Sequence, residues 1–294
     1  MQRPLVLAAS TATQGRLTMK PNLDDLVLCA GTLQSSPIID RIEPTKAAGF
    51  QGLSAFTTDF APAEGGTANV PDVAQRIKDA GLFVAEIDLL ANWFPSASGG
   101  PGLLGPASEN VFALAEALDA RSVTAAVFPA SVPSQDELIE AFALACDRAG
   151  ESGLQLHLEF IPFTPVRTLA EAAAIIQGAG RDNGGIMLDV WHLTRSGGSP
   201  KDVEALAHLV RGVQLDDAPA KPADNIVLET MRERLLPGDG DADVPGVIRA
   251  LRAGGCTAPL GVEVFSDVLA ALPPIETATR AHAAASRCIE LSLA

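Results

Sequence analysis

Residues 185–192 read GIMLDVWH: mostly apolar positions, then an aspartate, and a histidine three places after it. Alternation along a strand sends Ile186 and Leu188 to one side and Met187 and Asp189 to the other. One side is then wholly apolar, and the other closes on a carboxylate. A strand of a parallel sheet, covered by helices and ending at a site, has this pattern.

Seven further apolar runs surround it: LVLCAGTL (26–33), FQGLSAF (50–56), LFVAEIDLL (82–90), SVTAAVF (122–128), LQLHLEF (154–160), VRGVQLDD (210–217) and LGVEVFS (260–266). Between them lie segments with apolar residues three and four apart, among them SQDELIEAFALACDRAG and TLAEAAAIIQGAG. Several open on Ser or Thr and close on Gly, as helix caps require. Eight strand–helix units predict an α/β fold, a single (β/α)8 TIM barrel over residues 26–294. Residues 1–25 read as a tail or an arm. An open doubly wound sheet is the rival fold, but no GxGxxG follows an early strand.

Composition narrows the partners. Of 294 residues 47 % are hydrophobic, enough for one large core. The balance of 21 basic and 36 acidic side chains gives a net charge of −15, which repels nucleic acid and anionic membranes. No stretch has the length of a membrane span, and the first apolar run is too short for a secretory signal. Cys29, Cys146, Cys256 and Cys288 are widely spaced in apolar surroundings and read as core residues of a cytoplasmic protein. The partner to expect is a small molecule.

Strand parity locates a candidate site. In LQLHLEF the leucines take one face, and Gln155, His157 and Glu159 take the other, with Glu159 nearest the carboxyl-terminal mouth. The same alternation turns Asp189, Gln214 and Glu263 inward on the next three strands. Carboxylates crowded together repel unless a cation lies among them. Oxygen donors of this kind suit one Mg²⁺ or Mn²⁺, so Glu159, Asp189, Gln214 and Glu263 are candidate ligands. Unrelated polar residues at strand ends are the plain alternative. Trp93, Phe94, Phe160, Phe163 and Trp191 fall at or just past strand ends, where they either wall a substrate or pack beneath loops. His157 is either a core histidine or a group orienting a ligand carboxylate.

With LEF, LDVWH, VQLDD, RLLPGDGD and GVEVF in this order, the chain resembles the xylose isomerase-like TIM barrels, from about residue 26 onward. The resemblance implies one divalent metal on Glu159, Asp189, Gln214 and Glu263, although most relatives have His at the Gln214 position. It implies that His192 reaches the substrate or a metal-bound water. The loop RERLLPGDG is similar to the family's Arg-x-x-Pro-Gly-x-Gly segment, which makes Arg234, or failing it Arg232, a substrate contact. Trp93 is a third substrate-binding candidate. Glu159 and Glu263 would be the catalytic pair, moving protons on a sugar-like hydroxycarbonyl compound through a metal-stabilised enediolate. The expected activity is that of an isomerase or epimerase. A lyase acting on a keto-polyol or a dehydroshikimate-like acid shares the first steps and is the second reading; a barrel that binds sugars without turning them over is the third. Relatives of this kind are often oligomers. The long segment NWFPSASGGPGLLGPASEN (92–110) is suited to a lid.

Overall fold

The computed structural model describes residues 22–60, 68–91, 93–94, 106–128 and 133–294. Each apolar run contributes one strand: β1 (Leu26–Leu28), β2 (Gly52–Phe56), β3 (Phe83–Leu90), β4 (Ser122–Ala125), β5 (Gln155–Glu159), β6 (Gly184–Asp189), β7 (Val210–Leu215) and β8 (Leu260–Val262). Each pairs in parallel with the next, and β8 returns to β1, so the sheet closes into a barrel. The single (β/α)8 TIM barrel expected from the repeats is the fold. The expected tail, residues 1–25, lies outside the described residues except for Asn22–Asp25, where Leu23 is buried. The lid expected over 92–110 also falls mostly outside them.

Helices fill the connections: α1 (Ile38–Ala48), α2 (Val70–Ala80), α3 (Pro106–Ala117), α4 (Gln135–Glu151), α5 (Leu169–Ala179), α6 (Val190–Arg195), α7 (Pro200–Leu206), α8 (Ile226–Arg232), α9 (Val244–Ala253), α10 (Asp267–Ala270) and α11 (Pro274–Ser292). Their ends carry the capping chemistry read from the sequence. Ser134 and Glu137 form a reciprocal capping box on α4, and Thr168 and Glu171 do the same on α5. Gly180 ends α5 at φ +60°, a conformation that would strain a residue with a Cβ. No helix among the described residues is long and apolar enough to cross a membrane.

The alternation in the strands separates two interiors. Leu156, Leu158, Ile186, Leu188, Val213 and Leu215 join the large core between sheet and helices. Inside the barrel the buried apolar group is small, Val27, Cys29 and Ala85, with Phe83 packed against it. Polar side chains occupy much of the remainder, including Ser54, Glu86, Thr124, His157 and Gln214, all buried. A cavity of about 40 Å³ lies at the amino-terminal foot of the barrel, lined in part by Glu86, Arg121, Gln155, His157 and Arg211. The four cysteines are buried.

β1 and β8 stop well short of their apolar runs. β1 ends at Leu28, and Ala30–Leu33 turns into a short 3₁₀ helix; β8 ends at Val262. The Thr32 hydroxyl ties the two endings together. It donates to the Val262 carbonyl (2.8 Å), which also accepts the Cys29 amide (3.0 Å), and it accepts from the Val264 amide (2.9 Å). Glu263 sits between those two anchor points.

Candidate active site

Asp189 is both the last residue of β6 and the N-cap of α6. Its Oδ1 accepts the His192 amide at 2.7 Å, satisfying a donor that the first turn of a helix leaves free. An aspartate followed three positions later by a histidine is therefore a strand-to-helix junction, and it sets the imidazole over the barrel mouth. His192 Nε2 stands 3.4 Å from Glu159 Oε1 and 3.9 Å from Asp189 Oδ2. Glu159, Asp189 and His192 each present a ligand-type atom within 4.8 Å of the others, and all three residues are buried.

The two remaining candidates border this group. Gln214 lies directly beside Asp189 in the β6–β7 register. Glu263 follows β8, its amide held by the Leu215 carbonyl at 3.0 Å. Gln214 Oε1 and Glu263 Oε1 are buried without a hydrogen-bond partner, as is His192 Nδ1. Orphaned buried oxygens cost about 1–3 kcal/mol each, and a cation among them would remove that cost. The donor set fits a divalent metal on this ground. Its composition differs from expectation in one respect: His192 adds a nitrogen donor to the oxygens, which widens the choice beyond Mg²⁺ and Mn²⁺.

Further acids surround this set. Glu86 and Asp88 project from β3, and Asp216 follows β7. Burial, and then the Glu159 charge, push the Glu86 carboxyl up to about 7. Burial, followed by Glu159 and Glu86, raises Asp88 well above the usual carboxylate range. Burial and the Asp88 charge raise Glu263 in the same direction, while Arg234 opposes them.

Arg234 is the cation of this centre. Burial works against its charge, but Asp189 and Asp216, with Glu263 and Glu159 beyond, outweigh that and hold the guanidinium firmly protonated. Its Nη1 donates to Asp189 Oδ2 and Asp216 Oδ2, each at 2.6 Å. Nε donates to the Thr230 carbonyl (2.9 Å) and Nη2 to Thr230 Oγ1 (2.9 Å). Trp191 and Phe265 lie 5.5 and 5.2 Å from the guanidinium carbon. The arginine expected to meet substrate is thus engaged on nearly every donor by the protein itself. Arg232, the alternative, is exposed on the rim, 3.7 Å from Asp267.

Trp93 also differs from expectation. Its indole donates to the Ala126 carbonyl at 2.9 Å, and the ring packs edge-on against Phe94 and Phe142 with none of its surface exposed. Its indole and ring are thus engaged by the protein itself, beside the ends of β3 and β4. Trp191 is equally buried, its indole donating to Glu229 Oε1 at 3.0 Å. His157 hydrogen-bonds to Gln155 Oε1 at 3.2 Å below the site, as a core histidine.

Reasoning from the sequence passed over Glu86, Asp88 and Asp216. The alternation that singled out Glu159 was present for the first two in LFVAEIDLL. Register shifts opposite Leu53–Ala55 of β2 and between Ile87 and Leu90 disturb it, so that buried apolar residues recur as Val84, Ile87 and Leu90. For Asp216 the pair Asp216–Asp217 carries no sign of which faces inward.

A closed parallel barrel with acids converging at its carboxyl-terminal rim defines an α/β-barrel protein with a candidate metal centre. The profile of the xylose isomerase-like TIM barrel matches residues 42–288, and the chain belongs to that family. A 3-dehydroshikimate dehydratase of Pseudomonas aeruginosa is 30% identical over 258 residues, covering 85% of this chain and 38% of that protein. An inosose isomerase of Halalkalibacterium halodurans is 30% identical over 116 residues, 38% of this chain and 40% of that one. The chain thus spans about two fifths of the length of these curated relatives. Among solved structures, an IOLI protein with a bound zinc atom superposes at TM-score 0.79 and 19% identity, over 90% of this chain and 98% of that one. An L-ribulose 3-epimerase superposes at TM-score 0.70 and 20% identity, over 92% and 96%. These two share the fold.

Proposed function

We propose that residues 26–294 form a catalytic barrel, a divalent-metal-dependent isomerase or epimerase of a sugar-like hydroxycarbonyl compound. The observation that carries this reading is the convergence of Glu159, Asp189 and His192 within 4.8 Å, bordered by the unpartnered oxygens of Gln214 and Glu263. Glu159, Asp189, Gln214 and Glu263 would hold the ion, with His192 as a fifth donor or as a contact to substrate. When bound, the cation would polarise a carbonyl and acidify the adjoining C–H.

The protein's own groups supply the proton chemistry. Glu263, raised by burial and Asp88, is the candidate to return a proton to the substrate. Glu159, on the other side of the group, is the candidate to take a proton from the substrate carbon. Arg234 fixes Asp189 and the opening of α6, which keeps His192 aimed at Glu159. Return of the proton to the other face of the same carbon epimerises it; return to the neighbouring carbon isomerises it. Loss of a β-hydroxyl instead would be dehydration, a second reading favoured by the coverage of the dehydratase relative.

Incubation with Mn²⁺ and a panel of ketoses and inososes in deuterated water tests the proposal. Solvent deuterium is expected at the carbon beside the carbonyl. A protein that binds the metal yet incorporates no deuterium into any member of the panel would remove the isomerase reading, and product lacking one water would transfer it to a lyase.

A further inference from the structure

The charge around Arg234 bears on which hydroxycarbonyl compounds the site can accept, and this step rests on the function proposed above. A buried arginine at a barrel mouth is the usual receiver for a substrate carboxylate or phosphate. Here both Nη1 hydrogens go to aspartates, Nε and one Nη2 hydrogen go to Thr230, and the remaining Nη2 hydrogen faces only His192 Nε2 at 3.5 Å. Two aromatic rings flank the guanidinium. Asp189 and Asp216 share its Nη1.

Asp216 is the member of this set that the candidate metal centre does not need. Its Oδ1 accepts the Trp191 amide at 2.7 Å, and its Oδ2 faces Arg234 alone. No surface of the side chain is exposed. Two further described arginines are paired elsewhere: Arg41 with both oxygens of Asp59, and Arg195 with Glu229 and the Pro219 carbonyl. Segments 61–67, 92–105 and 129–132, which follow β2, β3 and β4, contain no lysine or arginine. An anionic ligand would therefore enter a centre lined, besides Arg234, by the acids Glu86, Asp88, Glu159, Asp189, Asp216 and Glu263.

We propose that Asp216 is a specificity-determining residue: by occupying Arg234 it denies the guanidinium to a carboxylate or phosphate and restricts the site to uncharged polyhydroxy ketones. The two relatives supply a matched pair of probes, since an inosose and 3-dehydroshikimate are both hydroxylated six-membered-ring ketones and the latter carries a carboxylate. Titration calorimetry with each, on the Mn²⁺-supplemented full chain, reads the preference directly. The unaltered protein is expected to bind the inosose at least tenfold more tightly. Asp216→Asn removes the charge and leaves one acceptor for two donors, the Trp191 amide and Arg234 Nη1, so the hold on the guanidinium weakens and affinity for 3-dehydroshikimate is expected to rise at least tenfold relative to the inosose.

Equal or tighter binding of 3-dehydroshikimate by the unaltered protein overturns the proposal, as does an unchanged ratio in folded Asp216→Asn, or failure of both ligands to bind. Should Asp216→Asn not fold, Arg234→Gln decides: a ratio unchanged from the unaltered protein supports the proposal, and a selective fall in 3-dehydroshikimate affinity overturns it. The expected preference without deuterium incorporation would remove the isomerase reading and leave the role of Asp216 standing.

Discussion

Arg234 Nη1 lies 2.6 Å from Asp189 Oδ2, and neither side chain has appreciable contact with solvent. The arginine comes from the segment after α8 and the aspartate from the tip of β6, so one ion pair joins the seventh loop to the candidate metal centre. Arg234→Met removes the guanidinium hydrogen-bonded to Asp189 and Asp216 and leaves both acids buried without it. The expected loss is about 3–5 kcal/mol, the usual cost of breaking a buried pair from one side. Urea unfolding measures it, and a loss under about 1 kcal/mol would show the pair to be electrostatically unimportant.

Metal binding gives a second test, independent of turnover. Divalent ions are expected to raise the melting temperature, because an ion at about 100 times its Kd stabilises the folded state by about 2.7 kcal/mol. Gln214→Ala removes one unpartnered oxygen and should weaken Mn²⁺ or Zn²⁺ binding by at least about tenfold. Calorimetry on the chelator-treated protein reads both effects. Identical affinities in the two proteins would take Gln214 out of the ligand set.

The stability of the barrel should depend on pH through His157. Burial holds this imidazole down to about 3, against 6.5 for an exposed histidine. The unfolded chain therefore takes up a proton between these values that the folded chain refuses. The neutral imidazole's contribution is complete above 6.5 and is lost as pH falls toward 3, by about 1.4 kcal/mol per unit. His157→Gln is expected to flatten this part of the profile in denaturant titrations at several pH values. An unaltered slope would assign the acid sensitivity to other groups.

Gly31 tests the packing behind Glu263. A Cβ placed there would come within 2.6 Å of the Phe265 ring and 2.9 Å of Glu263 Cγ. Gly31→Ala should displace the glutamate while costing only about 1–3 kcal/mol of stability. Turnover is expected to fall about 100-fold, the penalty for misplacing a reacting group by an ångström. A folded variant with full activity would show that Glu263 does not act from its present position.

The barrel was legible because its signals are local. Leu156 and Leu158 against His157 and Glu159, or Ile186 and Leu188 against Met187 and Asp189, state which side of a strand is covered, and the capping boxes of α4 and α5 are written within four residues. What stayed hidden depends on contacts between distant segments. Nothing in VQLDD shows that Asp216 turns to Arg234 while its neighbour Asp217 accepts the amides of Ala218, Gly238 and Ala242. Arg234 and Trp93 carry residue types common at binding sites, and only the tertiary structure shows their polar groups engaged by Asp189, Asp216, Thr230 and the Ala126 carbonyl.

Thr32 and the strand end it fastens have a consequence for biogenesis. Its hydroxyl bridges Val262 and Val264, so the segment bearing Glu263 is clasped by a residue made some 230 positions earlier. During synthesis on the ribosome, the candidate ligand most remote along the chain from Glu159 reaches its place only when the eighth strand emerges and docks against the first. Fragments released before that point lack both the closing strand and one of the candidate ligands, which ties completion of the fold to the ability to capture an ion.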